Sequence, residues 1–239
     1  MGRVHIVGEL DLYISADTEI GKIKMMRRLL TALLLAPLTA LATPLAAQDR
    51  AGDFDYYVLS LSWSPNWCDL EGRARNSPQC DADADFGWVL HGLWPQYDRG
   101  YPQDCRTSFV PPSRRETEAM ADIMGTSGLA WYQWNKHGSC SGLAPQAYYR
   151  TARAAFESIR IPQAFRKLTR DVTLPASLIE DAFVDANPDL PRDGVTITCK
   201  AGAIQEARIC LTRDLEPRSC GADVIRDCTL TSAAFAAID

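Results

Sequence analysis

The chain has 239 residues, of which 46% are hydrophobic, with 25 Lys/Arg against 30 Asp/Glu and eight cysteines. This composition is that of a globular protein with enough chain to bury a sizeable core. A net charge of −5 excludes a basic field over the whole surface, so a polyanionic partner would have to be bound at a local site.

The N-terminal region has the features of an export signal. A short basic segment at Met25 is followed by an apolar run and by small residues up to Ala47, a pattern typical of a secretory signal peptide. The run is short and interrupted by proline, which disfavours a membrane span, although an uncleaved anchor is the alternative. We predict a mis-assigned extension at 1–24, a signal peptide at 25–48, and a mature domain at 49–239 that acts in the periplasm or outside the cell.

The mature region predicts strands at both ends and helices between them. Alternating polar and apolar β-formers predict strands at 56–63, 87–90, 195–199, 204–211 and 224–228. Capping residues, prolines and glycines predict helices at 113–124, at 129–137, from Pro145, and from about Pro175 to before Pro188. Ser113 with Glu116 forms a capping-box pattern, Ser177 and Glu180 have capping spacing, and Gly138 ends the second helix. Strands that flank a helical middle indicate a single α+β domain with a largely antiparallel sheet and several helices packed around it.

All eight cysteines follow the signal, and an even number in an exported chain predicts disulfides. A metal site is the alternative, because His137 and Cys140 have an H-x-x-C spacing that His91 could complete. No C-x-x-C pair occurs, which disfavours it. We therefore expect no metal and no cofactor. Eight thiols allow on the order of a hundred pairings, so these considerations assign none.

Two histidines have surroundings suited to proton transfer. His91 lies in a segment His-Gly-Leu-Trp-Pro, and His137 in Lys-His-Gly-Ser-Cys, while the third, His5, lies in the leader. A single histidine beside aromatic residues is more often a packed core residue. Two such sites, each followed by glycine, favour an acid/base pair instead.

The predicted helix 129–137 would group polar side chains with His137. Gln133, Lys136 and His137 fall at i, i+3 and i+4 and share one face. We expect His91 to face them from the end of a strand, where Gly92 leaves room for a ligand and Trp94 offers a surface for a base to stack on.

Such a set of groups suits phosphodiester transfer within RNA. One imidazole would take the proton of the ribose 2′-hydroxyl, the other would protonate the departing 5′-oxygen, and Lys136 would stabilise charge on the phosphoryl oxygens. DNA lacks the hydroxyl and could not react in this way. Because the nucleophile belongs to the substrate, no metal is needed to position it.

The two segments resemble the active-site motifs of the ribonuclease T2 family, which are His91-Gly-Leu-Trp-Pro95 and Lys136-His-Gly-Ser-Cys140 in this chain. The resemblance extends to the strand that precedes Cys68, the Tyr148-Tyr149 helix and the helix at 177–183. It implies a secreted endoribonuclease with an antiparallel α+β fold that forms a 2′,3′-cyclic phosphate and then a 3′-phosphate.

The resemblance also implies roles for single residues. His91 would be the general acid, His137 the general base, Lys136 the transition-state cation and Trp94 a base-stacking wall. The implied disulfides are Cys68 to Cys80, Cys105 to Cys140, Cys199 to Cys228 and Cys210 to Cys220.

This chain departs from the family pattern at two positions of the second motif. Tyr132 and Gln133 stand where relatives commonly carry His-Glu. Tyr132 can still donate a hydrogen bond to phosphate. Gln133 cannot support an imidazolium at His137 as a carboxylate would, which predicts an active enzyme with a changed pH profile.

Three hypotheses follow. The first is a metal-independent endoribonuclease; the second is a catalytically impaired homologue that binds RNA or another partner; the third is a disulfide-stapled export domain without an RNA function. For the first we expect RNA as substrate, no action on DNA, no membrane association after signal removal, and a monomer.

Overall fold

A sheet is the centre of the part that the computed structural model describes, residues 49–238. Its strands are β1 (Tyr56–Trp63), β2 (Trp88–Gln96), β3 (Val172–Leu174), β4 (Val195–Lys200), β5 (Ala203–Leu211) and β6 (Ala233–Phe235). The order is β2-β1-β5-β6-β3, and β4 also pairs with β5. All pairings are antiparallel except a single-residue parallel contact of β5 with β6. The predicted α+β class with a largely antiparallel sheet is confirmed.

Helices connect and cover these strands. Their bounds are α1 (Ser64–Trp67), α2 (Arg114–Glu118), α3 (Ala121–Met124), α4 (Ser127–Lys136), α5 (Pro145–Ser158), α6 (Gln163–Arg166) and α7 (Ala176–Ala186). A π turn covers Cys68–Gly72, and 3₁₀ turns cover Arg73–Arg75, Pro78–Cys80, Gly138–Ser141 and Arg192–Gly194. The predicted leader segments 1–24 and 25–48 lie outside the described residues. Within residues 49–238 no helix has both the length and the apolar character needed to cross a membrane.

Strand β1 is buried on both faces, which fits its run of β-forming residues. Its core face carries Trp63, whose ring stacks on Phe235 with centroids 4.2 Å apart. The opposite face carries Tyr56 and Val58, which pack with Val224 and Cys210 in a smaller cluster. This second face also carries the candidate site, so the site lies on a rigid strand that is held from both sides.

Helix α4 packs against α5, and α5 is hydrogen-bonded to the sheet. The side chain of Thr126 caps α4 by accepting a hydrogen bond from the backbone of Leu129 at 3.1 Å. The hydroxyl of Tyr148, on α5, donates to the carbonyl of Leu93 on β2 at 2.9 Å. A side chain at Gly138 would overlap the rings of Trp134 and Tyr148, so glycine allows the chain to leave α4 against α5.

Four disulfides join loops to this framework, and they are the four pairs that the resemblance implies. They join Cys68 to Cys80, Cys105 to Cys140, Cys199 to Cys228 and Cys210 to Cys220. Since the sulfur of Cys140 is bonded to Cys105, it cannot act as a metal ligand beside His137. The metal alternative based on the H-x-x-C spacing is therefore wrong.

The predicted strand at 224–228 is wrong. The segment forms turns and loop, and its backbone bonds partly to side chains: Arg226 N–H donates to Thr196 Oγ1 at 3.1 Å. The Thr196 hydroxyl in turn donates to Asp227 Oδ1 at 2.5 Å. Apolar alternation alone does not distinguish a strand from a loop fixed by a disulfide at Cys228.

Strands β3 and β6 were not predicted, and the other differences concern element bounds. Helix 113–124 is divided into α2 and α3, although the predicted capping box of Ser113 and Glu116 forms. Ser177 lies inside α7 rather than capping it, since α7 begins after Pro175. Strand β2 continues to Gln96 instead of stopping at Leu90, and Pro95 is tolerated because β2 is an edge strand.

Candidate active site

One cleft of about 580 Å³ contains every residue that the sequence analysis singled out for the site. Its lining includes His91, Trp94, Tyr132, Gln133, Lys136 and His137. A second cleft, of about 790 Å³, shares His91 and Tyr132 with the first. His91 from the strand wall and Tyr132 from the helix wall thus line both clefts.

His91 lies at a β-bulge within β2. Gly92 pairs with Ser60 of β1, and Leu90 pairs with the next residue, Leu61, which leaves His91 as the extra residue. A bulge turns the chain locally and re-aims a side chain, and bulges are common beside active sites. The expectation that His91 ends a strand is wrong, because the strand continues for five residues beyond it.

A carboxylate and a guanidinium lie directly behind His91. Oε1 of Glu206, on β5, lies 2.5 Å from Nδ1 of His91. Oε2 of Glu206 accepts two hydrogen bonds from Arg208, at 2.7 and 2.9 Å. Burial by itself would raise the pKa of Glu206, but the hydrogen bond and charge of His91, together with Arg208, lower it to about 2. Glu206 is therefore ionised and holds Nδ1–H of His91, which leaves Nε2 for other contacts.

His137 has the opposite environment. It follows the last residue of α4, and its backbone N–H donates to the backbone carbonyl of Gln133 at 2.9 Å. Only 7% of its surface is exposed. Its Nδ1 is buried and has no hydrogen-bond partner among the described residues. Burial, with the charges of Lys136 and His91, lowers the pKa of His137 to about 3. His137 is therefore neutral near pH 7 and can accept a proton.

Trp94 separates the two histidines. Its ring centroid is 5.3 Å from that of His91 and 5.2 Å from that of His137. Its indole N–H donates to Oε1 of Gln133 at 2.7 Å. A Cβ at Gly92 would overlap both atoms of that hydrogen bond. The space above Gly92, which we expected to admit a ligand, is therefore filled by the contact of Trp94 with Gln133.

The side chain of Gln133 therefore has a structural role in the cleft. Its side chain is buried, and its oxygen accepts the hydrogen bond that orients the indole of Trp94. Gln133 lies on the same helix as His137 but has no side-chain hydrogen bond to the imidazole in the described structure. The amide therefore fixes the ring between the histidines.

Lys136 and Tyr132 line the more exposed side of the cleft. The ammonium of Lys136 donates to the hydroxyl of Tyr132 at 3.4 Å, and about half of the Tyr132 surface is exposed. Both groups can donate hydrogen bonds to an anionic ligand without a change of the backbone. A cation and a hydroxyl thus lie together in the cleft that also contains His137.

The sequence analysis missed Glu206 and Arg208. Both lie in the predicted strand 204–211, at a spacing of two residues that puts them on one face. A carboxylate within a strand of apolar residues was the available signal, because buried charges are almost always paired. The identity of the partner depends on the pairing of β1 with both β2 and β5, which the sequence did not supply.

Two imidazoles in contrasting environments, with a cation beside one of them, define a candidate acid–base centre on an antiparallel sheet. The chain belongs to the Ribonuclease T2 family, whose model matches residues 54–220. This match includes both histidine motifs, α4, α5 and the strand that carries Glu206.

Curated relatives agree with this assignment. The chain is 40% identical to a ribonuclease of Aeromonas hydrophila over 123 residues, 52% of this chain and 54% of the relative. It is 32% identical to ribonuclease I of Escherichia coli K12 over 176 residues, 56% of this chain and 65% of the relative. The chain thus spans about half the length of the first curated relatives it matches.

Solved structures share the fold. An RNase-related protein from Calystegia sepium superposes with a TM-score of 0.63 at 19% identity and covers 78% of this chain and 98% of its own. A variant of RNase MC1 in complex with 5′-UMP gives a TM-score of 0.57 at 18% identity, with 76% and 97% covered. At these identities the likeness supports the fold alone.

Proposed function

We propose that this protein is a metal-independent endoribonuclease that cleaves single-stranded RNA. The observation that carries the proposal is the pair of histidines in one cleft with opposite environments: His137 buried and neutral, His91 paired with an ionised carboxylate. Family membership supports the same conclusion, as does the nucleotide bound by a structural neighbour, RNase MC1, whose variant holds 5′-UMP.

In the proposed first step, His137 accepts the proton of the ribose 2′-hydroxyl. The 2′-oxygen forms a bond to the adjacent phosphorus while the bond from phosphorus to the 5′-oxygen breaks, and His91 protonates that leaving oxygen. The products are a 2′,3′-cyclic phosphate and a free 5′-hydroxyl. In the second step water replaces the 5′-hydroxyl, the histidines exchange roles, and a 3′-phosphate results.

Lys136 and Tyr132 act on the phosphate in this scheme. The ammonium stabilises the negative charge that grows on the phosphoryl oxygens, a contribution made mainly in the transition state. The charge of Lys136 is also one cause of the low pKa of His137. A bound phosphate would offset that charge, so His137 becomes a stronger base when substrate is present.

Trp94 is proposed to form a wall for a base, in addition to separating the histidines. The guanidinium of Arg208 lies 5.4 Å from the Trp94 ring, so one region of the indole already has a cation partner. A stacked base would use the ring surface that faces the cleft.

Export and a monomeric state remain predictions. Four disulfides among the described residues support an oxidising location, the periplasm or the exterior. N-terminal sequencing of the secreted protein tests the predicted start after residue 48, and sedimentation of the purified protein tests the monomer.

One experiment tests the proposal against its alternatives. The purified protein is incubated with single-stranded RNA and with DNA of the same sequence, both in EDTA, and RNA ends are analysed for cyclic phosphate. We expect RNA cleavage that persists in EDTA and is lost in His137→Ala, with DNA intact. RNA that is bound but uncut would instead support the impaired homologue, and neither binding nor cleavage would support an export domain without an RNA function.

A further inference from the structure

Glu206 is a charged side chain in a place where charge is costly. It lies in the central strand β5 and is 2% exposed. Removing a carboxylate from water destabilises a fold unless hydrogen bonds and an opposite charge replace the lost hydration. The contacts that replace it therefore indicate why the residue is there.

Both carboxylate oxygens of Glu206 are used, and by different partners. Oε1 contacts Nδ1 of His91, and Oε2 accepts both hydrogen bonds of Arg208. Across the sheet, Glu206 pairs with Ser62 of β1 and Thr198 of β4. Neither of these hydroxyls has a hydrogen bond to Glu206 in the described structure. The polar contacts of the carboxylate are thus with one histidine and one arginine.

The bulge makes this contact possible. Glu206 and Arg208 lie on the face of the sheet that also carries Ser60 and Ser62, and the extra residue in β2 brings His91 to that face. Arg208 balances the charge of Glu206 and keeps it ionised, so the carboxylate can only accept a hydrogen bond from the imidazole.

We propose that Glu206 is a positioning residue for the reaction: it holds Nδ1–H of His91, directs Nε2 toward the leaving oxygen, and stabilises the protonated imidazole that acts as the acid. The inference rests on the proposed function. It also assigns the carboxylate of this site to the acid histidine on the sheet, whereas the helix position beside the base histidine holds the amide of Gln133.

Other charged or titratable groups line the clefts that His91 shares. In the first cleft these are His137, Lys136 and Tyr132 on the helix side, with Tyr101, Asp223 and Arg226 from loops. From the sheet side they are Arg208 and, across the second cleft, Lys200 and Glu71, which form an ion pair with each other. Of the described acidic residues, Glu206 is the one with a hydrogen bond to the His91 ring.

The distinguishing experiment compares two substrates in EDTA across pH 4 to 9: a single-stranded RNA and uridine 3′-(4-nitrophenyl phosphate). A 4-nitrophenolate ion leaves without being protonated, whereas the 5′-oxygen of RNA needs the proton from His91. A residue that acts through the acid therefore matters for RNA and much less for the nitrophenyl ester.

For Glu206→Gln we expect kcat on RNA to fall about 10- to 100-fold, less than the roughly 10²- to 10⁴-fold effect of removing an acid group itself. The alkaline limb of the RNA profile should move to lower pH, because the charge that favours the protonated imidazole is gone. Activity on the nitrophenyl ester should fall less than about 3-fold, which also shows that the variant is folded. The matched control is Glu180→Gln, a partly buried carboxylate outside both clefts, for which both activities and the profile should be unchanged.

Equal losses on both substrates, or an RNA profile that does not move, would overturn the positioning role and leave Glu206 as a structural ion pair. A measurement on the unaltered protein is independent of whether any variant folds. With ¹⁵N-labelled histidine, the His91 ring should carry its proton on Nδ1 when neutral; a proton on Nε2 contradicts the proposal. If the unaltered protein cleaves no RNA, the proposed function fails, and the NMR result still decides the contact of Glu206 with His91.

Discussion

The sheet wall and the helix wall of the cleft each present one histidine, and they treat it in opposite ways. On the sheet, the His91 side chain is one-third exposed and bound to a carboxylate. On the helix, His137 is buried, has an unpartnered Nδ1 and lies beside a lysine. The sheet gives its histidine a carboxylate partner, whereas the helix buries its histidine beside a cation. This contrast supports the proposed division of labour, in which one residue type supplies both an acid and a base.

The same comparison changes the interpretation of the amide at Gln133. From the sequence, the missing carboxylate predicted an active enzyme with a changed pH profile, and it was also the argument for the alternative of an impaired homologue. In the structure Gln133 accepts the indole hydrogen bond of Trp94, while the buried carboxylate of the site lies behind His91 instead. A neutral residue on the base side and an anion on the acid side both favour the division of labour proposed here.

The largest expected effect is the loss of either histidine. His91→Ala and His137→Ala should each reduce kcat on RNA by about 10²- to 10⁴-fold. Because the two act as a unit, the double variant should lose little more than the worse single variant. The measurement is steady-state cleavage of RNA in EDTA. If the two losses simply multiply in the double variant, the histidines do not act in one concerted step.

On the nitrophenyl substrate the two variants should separate. His137→Ala should remain strongly impaired because the 2′-hydroxyl still needs a base, whereas His91→Ala should recover much of its activity because the leaving group needs no proton. The reverse result would exchange the roles of the two histidines and contradict the comparison drawn above.

The next effect concerns the ring between them. Gly92→Ala would force the Trp94 indole away from Gln133, and overpacking of this kind lowers the free energy of unfolding by about 1–3 kcal/mol. Urea unfolding followed by tryptophan fluorescence measures the loss. Gly128→Ala on helix α4 is the matched control, since its new methyl has free space and should leave stability unchanged or raise it by up to about 1 kcal/mol.

A smaller effect is expected from restoring the acid at position 133. Gln133→Glu keeps an acceptor for Trp94 and adds a negative charge near His137, so the pKa of His137 should rise from about 3. Since the base must be neutral, the acidic limb of the pH–rate profile should move to higher pH. Asn135→Asp adds the same charge on the exposed face of α4 and should shift the limb less. Equal shifts would mean that only net charge matters.

The last prediction concerns how stability depends on pH. The folded-state pKa of His137, about 3, is below its usual 6.5, so the unfolded chain binds the proton first and stability falls as pH decreases from 6.5. The slope from one group is at most about 1.4 kcal/mol per pH unit. Burial raises the pKa of Glu180 to about 7, which acts in the opposite direction between pH 7 and 4.5. The difference between the unaltered protein and His137→Asn therefore isolates the histidine; parallel stability curves would contradict its burial as a neutral ring.

Much of this molecule could be predicted from the sequence because its signals are local. The alternation of β1, the capping box at Ser113 and the glycine after His137 each act within a few residues. They predicted strand β1, the start of α2 and the end of α4 to within one residue. The i, i+3, i+4 spacing likewise brought Gln133, Lys136 and His137 to one cleft.

The features that were missed depend on register between distant strands. Strands β3 and β6 have three residues each and are stabilised by pairing with each other. No local sequence pattern predicts this pairing. The contact of His91 with Glu206 joins residues 115 positions apart and depends on both the bulge and the pairing of β5 with β1. Similarly, nothing local to Gly92 indicates that the indole of Trp94 occupies the space above it.

The extra residue in β2 also constrains the design of this site in another protein. His91 and Trp94 are three positions apart, an odd number, so a regular strand would direct them to opposite sides of a sheet. Here the bulge restores them to the same side. A graft of the His-Gly-Leu-Trp-Pro segment onto a regular host strand would therefore keep the sequence but place the histidine and the tryptophan on opposite sides of the sheet. The host strand must also contain the bulge.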